Sequence, residues 1–179
     1  MTFSYVDLNL ISDEEYKHLL SINRWIIKDE LTQVYVVKDN NDIKSVFCLN
    51  QNGYYYTKAK LCYGTKEKER GKGYCSFGLY MLLEVIETNP SLEEVLIVSI
   101  NKITDILCQK LEIPTICDNI LYLVKNHNFN SKYKELELLV KKGTPFEELM
   151  DFCGNDETML QILDIWLDKR NKGFKLKYK

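Results

Sequence analysis

Polar turn residues separate three early segments of the chain. The segments "QVYVVK" and "IKSVFCL" have the pattern of β-strands, and the polar residues "DNND" between them are typical of a turn. The turn signal "NG" at 52 and 53 separates them from a third segment of strand character, "YYYTKAKLCY". We therefore predict three strands paired as an antiparallel meander.

Two segments have the pattern of helices. In "SDEEYKHLL", Ser12 and Glu15 have the spacing of a capping box, which marks a helix start. From Phe77 to Ile86 the chain is apolar on nearly every side and too long for a strand, and Asn89-Pro90 stops it. This second segment predicts a largely buried helix.

A strand buried on both faces follows at "VLIVSI", a continuous apolar run rich in β-branched residues. Asn101 can cap the next helix, with Ile103, Ile106 and Leu107 on one face. The segment "NILYLV" then predicts another strand. A strand–helix–strand sequence between about residues 54 and 100 implies a right-handed crossover and a parallel pair. The predicted class is therefore mixed α/β.

The C-terminal part of the chain changes to helical periodicity. "SKYKELELLVKKG" predicts a helix closed by Gly143, and the next helix has Thr144 as cap, Pro145 at its first position and Glu147 completing a capping box. A third helix lies in "NDETMLQILDIWLDKR", followed by the alternating segment "FKLKYK". We predict one domain over residues 1–130 and a helical module over 131–179. The residues expected to face inward in the third helix are Met159, Ile162, Leu163 and Trp166.

Composition and charge narrow the class of protein. The chain has 179 residues, 45% of them hydrophobic and 28% charged, with a formal net charge of -2. This composition is that of a globular protein without a general attraction to nucleic acid or anionic lipid. No apolar run approaches the roughly 20 residues of a membrane span. The start "MTFSYVDLNL" lacks the features of a signal peptide, so we expect no membrane partner and an intracellular, cytoplasmic protein.

The cysteines and histidines do not form a metal-binding pattern. None of the six cysteines stands in a Cys-x-x-Cys pair, and His18 and His127 are far from any tight cluster. We therefore expect no metal, and thiols that are reduced and mostly buried.

The stretch "ERGKGYCS" holds Gly71 and Gly73 between cations, where a strand should lead into a helix. Glycine lets backbone amides approach a ligand, and a helix N-terminus attracts anions, so a phosphate or pyrophosphate site is one interpretation. The other is a solvated basic turn before a core helix. The spacing fits neither a P-loop nor a dinucleotide fingerprint, because Gly73 follows Lys72 and Ser76 stands where a third glycine would be needed.

The segment "RGKGYC" resembles the acyl-CoA pyrophosphate loop of the GNAT superfamily of N-acyltransferases, whose motif runs Arg or Gln, two residues, Gly, one residue, Gly or Ala. Arg70 and Gly73 match this motif, and Cys75 replaces its last small residue. The order of elements from about residue 3 to 128 also resembles that fold. The resemblance implies a GNAT-like mixed sheet with two splayed central strands, and acetyl-CoA or another acyl-CoA as co-substrate.

The same resemblance implies how the cofactor is held. Its pantetheine arm would insert between "AKLCYG" and "VLIVSIN", and its pyrophosphate would lie on the amides of residues 71 to 76. Asn101 resembles the family asparagine that contacts the cofactor arm, a role compatible with a helix cap. The residues thus assigned to the cofactor are Leu61, Cys62, Tyr63, Arg70, Gly71, Lys72, Gly73, Tyr74, Cys75, Ser76 and Asn101.

The catalytic part of the resemblance rests on fewer matches. Many family members have a tyrosine seven residues after that asparagine as the acid for the leaving thiolate, and here the position is Cys108. Glu112-Ile113 stands in place of the Gly-Phe that usually ends this helix. A thiol can protonate a CoA thiolate, so Cys108 is the candidate acid. Ser99 and Tyr63 are further catalytic candidates by location.

Two functions remain open. The first is transfer of an acyl group, most readily acetyl, from acyl-CoA to an amine of a small molecule or a protein, by an enzyme that could form homo-oligomers. The second is a catalytically degenerate GNAT-like regulator that binds nucleic acid or protein through a C-terminal module resembling a winged helix-turn-helix. From Lys169 to Lys179 there are six cations and no acids. Because the module over 131–179 is nearly charge-balanced, packing of its helices is favoured over nucleic-acid binding.

Overall fold

The structure, a computed structural model, describes residues 1–28, 31–52, 55–99, 101–116, 121–126 and 132–173. Its contacts divide the chain into two compact units, Met1–Ile97 and Val98–Lys179. Each unit is described by itself. The domain boundary at residue 130 stays a prediction. None of the helices in the described ranges is long and apolar enough to cross a membrane.

Five strands in the described part of the first unit lie side by side in the order β1 (Thr2–Val6), β2 (Thr32–Asp39), β3 (Asp42–Asn52), β4 (Tyr55–Thr65) and β5 (Glu94–Val98). The first four strands are antiparallel neighbours and β5 pairs parallel with β4, which confirms the meander and the parallel pair. The edge strand β1 was not predicted. The elements between these strands are α1 (Asp13–Ile22), a 3₁₀ turn (Glu67–Glu69) and α2 (Tyr74–Thr88).

Local signals in the sequence explain several of these boundaries. The turn between β2 and β3 places Asn40 and Asn41 at positive φ, 51° and 63°, as a type I′ hairpin requires. The predicted turn at Gly53 lies outside the described residues. At α1 the capping box is present, because the Glu15 amide donates to Ser12 Oγ over 3.2 Å and the Ser12 amide donates to Glu15 Oε2 over 3.4 Å.

Helices cover both faces of the central strands. Leu19 of α1 packs in one cluster with Val34 and Val36 of β2 and with Val46 and Cys48 of β3. On the other face, α2 lies so close to the sheet that a Cβ on Gly78 would clash with the ring of Phe47. The strands are therefore buried on both faces, which explains their nearly continuous apolar sequence.

The described part of the second unit contains a short antiparallel strand pair and four helices. The sequence grouped Ile103, Ile106 and Leu107 on one face of α3 (Lys102–Lys110), but this is not the buried face: Ile103 and Ile106 are 73% and 54% exposed, whereas Thr104, Asp105 and Cys108 are buried. Asp105 accepts a hydrogen bond in this position, described below. The elements are α3 (Lys102–Lys110), β6 (Thr115–Ile116), β7 (Leu121–Asn126), α4 (Lys132–Lys141), α5 (Phe146–Cys153) and α6 (Glu157–Asn171).

Helices α4, α5 and α6 pack around a common core. The predicted cap of α5 at Thr144 is wrong, because Pro145 is the N-cap and makes no side-chain capping bond. Thr144 is engaged elsewhere: its amide donates to the Leu139 carbonyl, 3.2 Å, and its carbonyl accepts from Arg170 Nη1, 2.8 Å. The four inward residues predicted for α6 are confirmed as buried: Met159, Ile162, Leu163 and Trp166.

Cations at the end of α6 take part in contacts within the module. The Lys169 ammonium lies 4.9 Å from the centre of the Trp166 ring, and Arg170 donates to the loop before α5. Lys172 pairs with Asp168 over 2.8 Å. The segment "FKLKYK", predicted as a wing, lies outside the described residues. The contacts of Lys169 and Arg170 support a packing role for this end of the helix.

Replacing Gly64 in β4 should destabilise the first unit. A Cβ at this position would clash with the Ile22 carbonyl oxygen and lie 3.2 Å from Cα of Asn23. We expect Gly64→Ala to lower the free energy of unfolding by about 2–3 kcal/mol in urea titrations. Gly71→Ala is the control, because Gly71 has open space but φ +78°, and should cost only about 1 kcal/mol. Equal losses would contradict the close approach of α1 to β4.

The C-terminal module should not bind duplex DNA. Truncation after Asp168 removes all six terminal cations. We expect neither the full-length nor the truncated protein to shift duplex DNA in a gel at low salt, because the module as a whole is nearly charge-balanced. A shift by the full-length protein alone, weakening steeply with added salt, would support the binding-module alternative.

Candidate functional site

The glycine loop lies between the 3₁₀ turn and α2. Gly71 and Gly73 both adopt left-handed backbone, with φ of +78° and +88°, a region that side chains other than glycine rarely enter. Both are exposed, and beyond each glycine and its two chain neighbours no atom of the described structure lies within 4 Å of the position a Cβ would take. The loop therefore presents bare backbone to its surroundings.

The first turn of α2 has open hydrogen-bond donors. The first hydrogen bond of the helix runs from the Phe77 amide to the Gly73 carbonyl, 2.9 Å. Among the described residues, the amides of Tyr74, Cys75 and Ser76 have no acceptor, and this turn contains no acidic residue. Three donors at the positive end of a 15-residue helix dipole suit an anion.

A network of ion pairs lies beside the loop. Glu69 contacts both Lys44 Nζ, 3.0 Å, and Lys72 Nζ, 2.8 Å. Asp42 contacts Lys44, 2.9 Å, and Lys66, 2.6 Å. Hydrogen bonds from Lys66 and Lys44 lower the pKa of Asp42 to about 2, and those from Lys72 and Lys44 lower the pKa of Glu69. Lys72 is thus already partnered by an acid of its own loop.

Arg70 differs from Lys72 in this respect. Its side chain is exposed and forms no ion pair among the described residues.

Two side chains at the start of α2 have contacts of their own. Tyr74 is fixed by a hydrogen bond from its hydroxyl to Asp39 Oδ2, 2.9 Å. Cys75 is half-buried against Thr65 at the end of β4, and burial raises the pKa of its thiol to about 12. The loop therefore offers backbone amides and one guanidinium to an anion.

Strand β4 extends beyond its pairing with β5. The parallel ladder joins Lys58–Lys60 to Glu94–Leu96. Leu61, Cys62 and Tyr63 follow in β4 beyond that ladder, while their antiparallel pairing with β3 continues. This is the geometry expected of strands that splay, and it coincides with the three residues predicted to contact the thioester arm.

The end of α1 is joined to the same part of β4. The side-chain amide of Asn23 donates to the carbonyl of Val46, 3.2 Å, and to the carbonyl of Cys62, 3.3 Å. Asn23 is only 1% exposed. The Cys62 carbonyl therefore already accepts a hydrogen bond. Tyr63 lies toward the other face, its ring 6.4 Å from that of Phe47.

In the second unit, Ser99 and Asp105 form a buried polar pair. Ser99 Oγ donates to Asp105 Oδ1 over 2.6 Å and lies 3.2 Å from the Asn101 carbonyl. Asn101 is confirmed as a helix cap, because its Oδ1 accepts from the Thr104 amide over 2.9 Å. Burial and the neighbouring carboxylate of Asp105 raise the pKa of Tyr122 to about 12.

The predicted site residues divide between the two units. Residues 61–63 and 70–76 belong to the first, and Ser99, Asn101 and Cys108 belong to the second. Cys108 is completely buried in α3. That all of them form one active site, and that Cys108 is an acid, stay predictions. Within the described ranges, no group of three or more His, Cys, Asp and Glu residues could hold a metal ion.

Sequence reasoning missed three polar residues beside these positions. Asn23 follows the predicted first helix, and nothing in its local sequence signals contacts with strands more than 20 residues away. Asp105 lies in the first turn of α3, where an acidic residue is expected to be exposed. Tyr122 stands in the apolar segment "NILYLV", which was predicted only as a strand.

Comparison with known proteins places this fold. No protein-family model and no curated protein match the sequence. Among solved structures, Escherichia coli YhhK bound to coenzyme A is 18% identical, with a TM-score of 0.51 over 69% of this chain and 98% of that one. Tetrahymena GCN5 is 12% identical, with a TM-score of 0.50 over 73% and 99%.

A mutant form of the spermidine/spermine N-acetyltransferase SpeG from Vibrio cholerae is 11% identical, with a TM-score of 0.50 over 68% of this chain and 91% of that one. These neighbours are GNAT acetyltransferases. The chain therefore has the GNAT fold, as the loop and the order of elements predicted.

Proposed function

We propose that this protein transfers an acyl group, most readily acetyl, from acyl-CoA to an amine. The observation that carries the proposal is the N-terminus of α2, where three amides without an acceptor among the described residues follow a left-handed Gly73. These features fit a pyrophosphate, which needs several donors and a backbone free of side chains. Arg70 adds a charge that the described ion pairs do not neutralise.

The extension of β4 past β5 supports a place for the pantetheine arm. Amide groups of that arm can pair with the backbone of residues 61–63 as an added strand would. The Gly73 loop and this segment both belong to the first unit, and Cys75 packs against Thr65 at the end of β4. One cofactor could therefore use both.

The chemistry that we propose has two proton transfers. A neutral amine attacks the thioester carbonyl, the C–S bond breaks, and the CoA thiolate takes up a proton while the nitrogen loses one. We assign the proton donor to Cys108, and assistance to the nitrogen to Ser99 or Tyr63. The hydrogen bond from Ser99 to Asp105 supports a role for Ser99, because a carboxylate raises the basicity of a bonded hydroxyl.

The acceptor is proposed only as a class. One structural neighbour is named for spermidine and spermine, which supports an amine acceptor, but an amine on a protein fits equally well. We propose that the reaction takes place in the cytoplasm. Release of CoA thiol from acetyl-CoA, measured across polyamines, aminoglycosides and peptide amines, would identify the acceptor.

Gly73→Asp should abolish acetyl-CoA binding. The side chain would remove the close approach of the backbone and add a negative charge facing the pyrophosphate. We expect calorimetry to show at least about a hundredfold weaker binding, since hydrogen bonds to charged groups contribute about 1.5–3 kcal/mol each. Gly73→Asn tests the side chain without the charge. Gly143→Asp is the control, because Gly143 has a similar φ of +81° and open space. Equal affinity in the wild type and Gly73→Asp would show that the pyrophosphate lies elsewhere.

Cys108→Ala should lower turnover without changing acetyl-CoA affinity. General acids contribute about 10²–10⁴-fold, so we expect turnover to fall by about a hundredfold while the dissociation constant stays the same. Cys153→Ala is the matched control, because Cys153 is also fully buried but lies in α5. Unchanged turnover in Cys108→Ala would assign this thiol to the core and the proton to another group.

A further inference from the structure

Two cysteines face each other across β3 and β4. Cys48 and Cys62 are direct Cα partners in the antiparallel register of these strands. Directly opposed residues have Cβ atoms about 4.5–5.5 Å apart, and closer in non-hydrogen-bonded pairs, near the separation of about 3.5–4.5 Å that a disulfide needs. Both side chains lie on the α1 face, in or against the same apolar cluster.

The two thiols are in contact and differ in character. The Cys48 thiol donates to the Cys62 sulfur, which raises the pKa of Cys48 and lowers the pKa of Cys62. The positive charge of Lys60 favours the Cys62 thiolate further. The side-chain amide of Asn23 lies 3.5 Å from Cys48 Sγ. The two thiols are therefore held side by side, and their contact favours deprotonation of Cys62 over deprotonation of Cys48.

The two cysteines also differ in solvent exposure, and the one whose pKa is lowered is the more exposed. Cys48 is 0% exposed, whereas Cys62 is partly exposed. The thiolate that attacks an oxidant must be reachable, and the thiol that resolves the product need only be adjacent. Cys75 is also partly exposed, but burial raises the pKa of its thiol to about 12.

We propose that Cys48 and Cys62 form a disulfide when the protein meets hydrogen peroxide, with Cys62 as the attacking and Cys48 as the resolving cysteine. The Cys62 thiolate attacks one peroxide oxygen, the O–O bond breaks, and hydroxide leaves to become water, so that Cys62 becomes a sulfenic acid. The Cys48 sulfur then attacks the Cys62 sulfur and the S–O bond breaks. The oxygen leaves as water with the Cys48 proton. Two thiols and one peroxide thus give one disulfide and two waters.

Peptide mapping by mass spectrometry tests the pair in the intact chain. The protein is titrated with hydrogen peroxide from one equivalent upward, and remaining thiols are alkylated before digestion. We expect a peptide linking Cys48 to Cys62, two hydrogens lighter than its reduced parts, that disappears after treatment with dithiothreitol. Oxidation of Cys62 to the sulfinic acid without this link would overturn the proposal.

Variants assign the two roles. In Cys48→Ser the sulfenic acid has no resolving partner, so we expect Cys62 to accumulate sulfenic and sulfinic acid. In Cys62→Ser we expect Cys48 to stay reduced. Cys75→Ser is the matched control and should form the link at the wild-type rate. Loss of the link in Cys75→Ser, or unchanged linking in Cys62→Ser through another cysteine, would contradict the assignment.

A measurement on the wild type alone tests the role of Cys62 even when a cysteine variant does not fold. Iodoacetamide should alkylate Cys62 about tenfold or more faster than Cys75 at neutral pH, because the reaction requires the thiolate. Equal rates for the two cysteines would overturn the assignment of Cys62 as the attacking thiol. This test needs no cofactor, so it does not depend on the proposed acyltransferase activity.

Discussion

The close approach of α1 to β4 is the constraint on which the first unit depends. At Gly64 the strand meets the last backbone carbonyl of α1, with no room for a side chain. Asn23 directly follows the last residue of α1, and its side-chain amide donates to backbone carbonyls of both β3 and β4. A buried amide that satisfies two strands fixes their position, because leaving either carbonyl without a donor would cost about 1–3 kcal/mol. The segment of β4 that we assign to the cofactor is therefore held from the α1 side.

The loop that contains Gly71 and Gly73 follows the same end of β4 and leads into α2. The chain must turn from a strand into a helix without covering the helix N-terminus. Left-handed backbone at Gly71 and Gly73 makes this turn, and neither position carries a side chain over the amides that follow. A serine or aspartate cap would have satisfied those amides internally. A helix start with glycine at the cap position is less stable by only about a few tenths of a kcal/mol, and it keeps donors available for an anion.

Features that depend on neighbouring residues could be predicted from the sequence. The capping box at Ser12, the asparagine turn after β2 and the apolar run of α2 all act over a few residues. The loop motif belongs to the same group, and it predicted the GNAT fold. Features that depend on distant contacts could not be predicted in this way. Pro145, and not Thr144, is the cap of α5, and the Thr144 backbone contacts α4 and Arg170, which the local sequence does not show.

The buried face of α3 is another feature that could not be predicted from the local sequence. Sequence periodicity grouped Ile103 and Ile106 with Leu107 on one face, but both isoleucines are exposed, whereas Asp105, which accepts a hydrogen bond from Ser99, is buried. A buried carboxylate needs a donor, and only the fold shows that a serine hydroxyl supplies one at 2.6 Å. Asn23 was missed for the same reason, because its hydrogen bonds reach strands more than 20 residues away.

The charges around the loop decide which groups can recognise an anion. Lys72 is the cation nearest to the motif glycines in sequence, yet Glu69 pairs with it and with Lys44. A lysine held by a carboxylate offers an incoming phosphate less than its full charge, because the same carboxylate repels that phosphate. Arg70 has no such acid among the described ion pairs. Affinity for an anion should therefore come mainly from the amides of α2 and from Arg70, whose planar guanidinium can bind two phosphate oxygens at once. This agrees with a motif that specifies Arg or Gln at the position of Arg70 and glycine at that of Gly73, and leaves the position of Lys72 open.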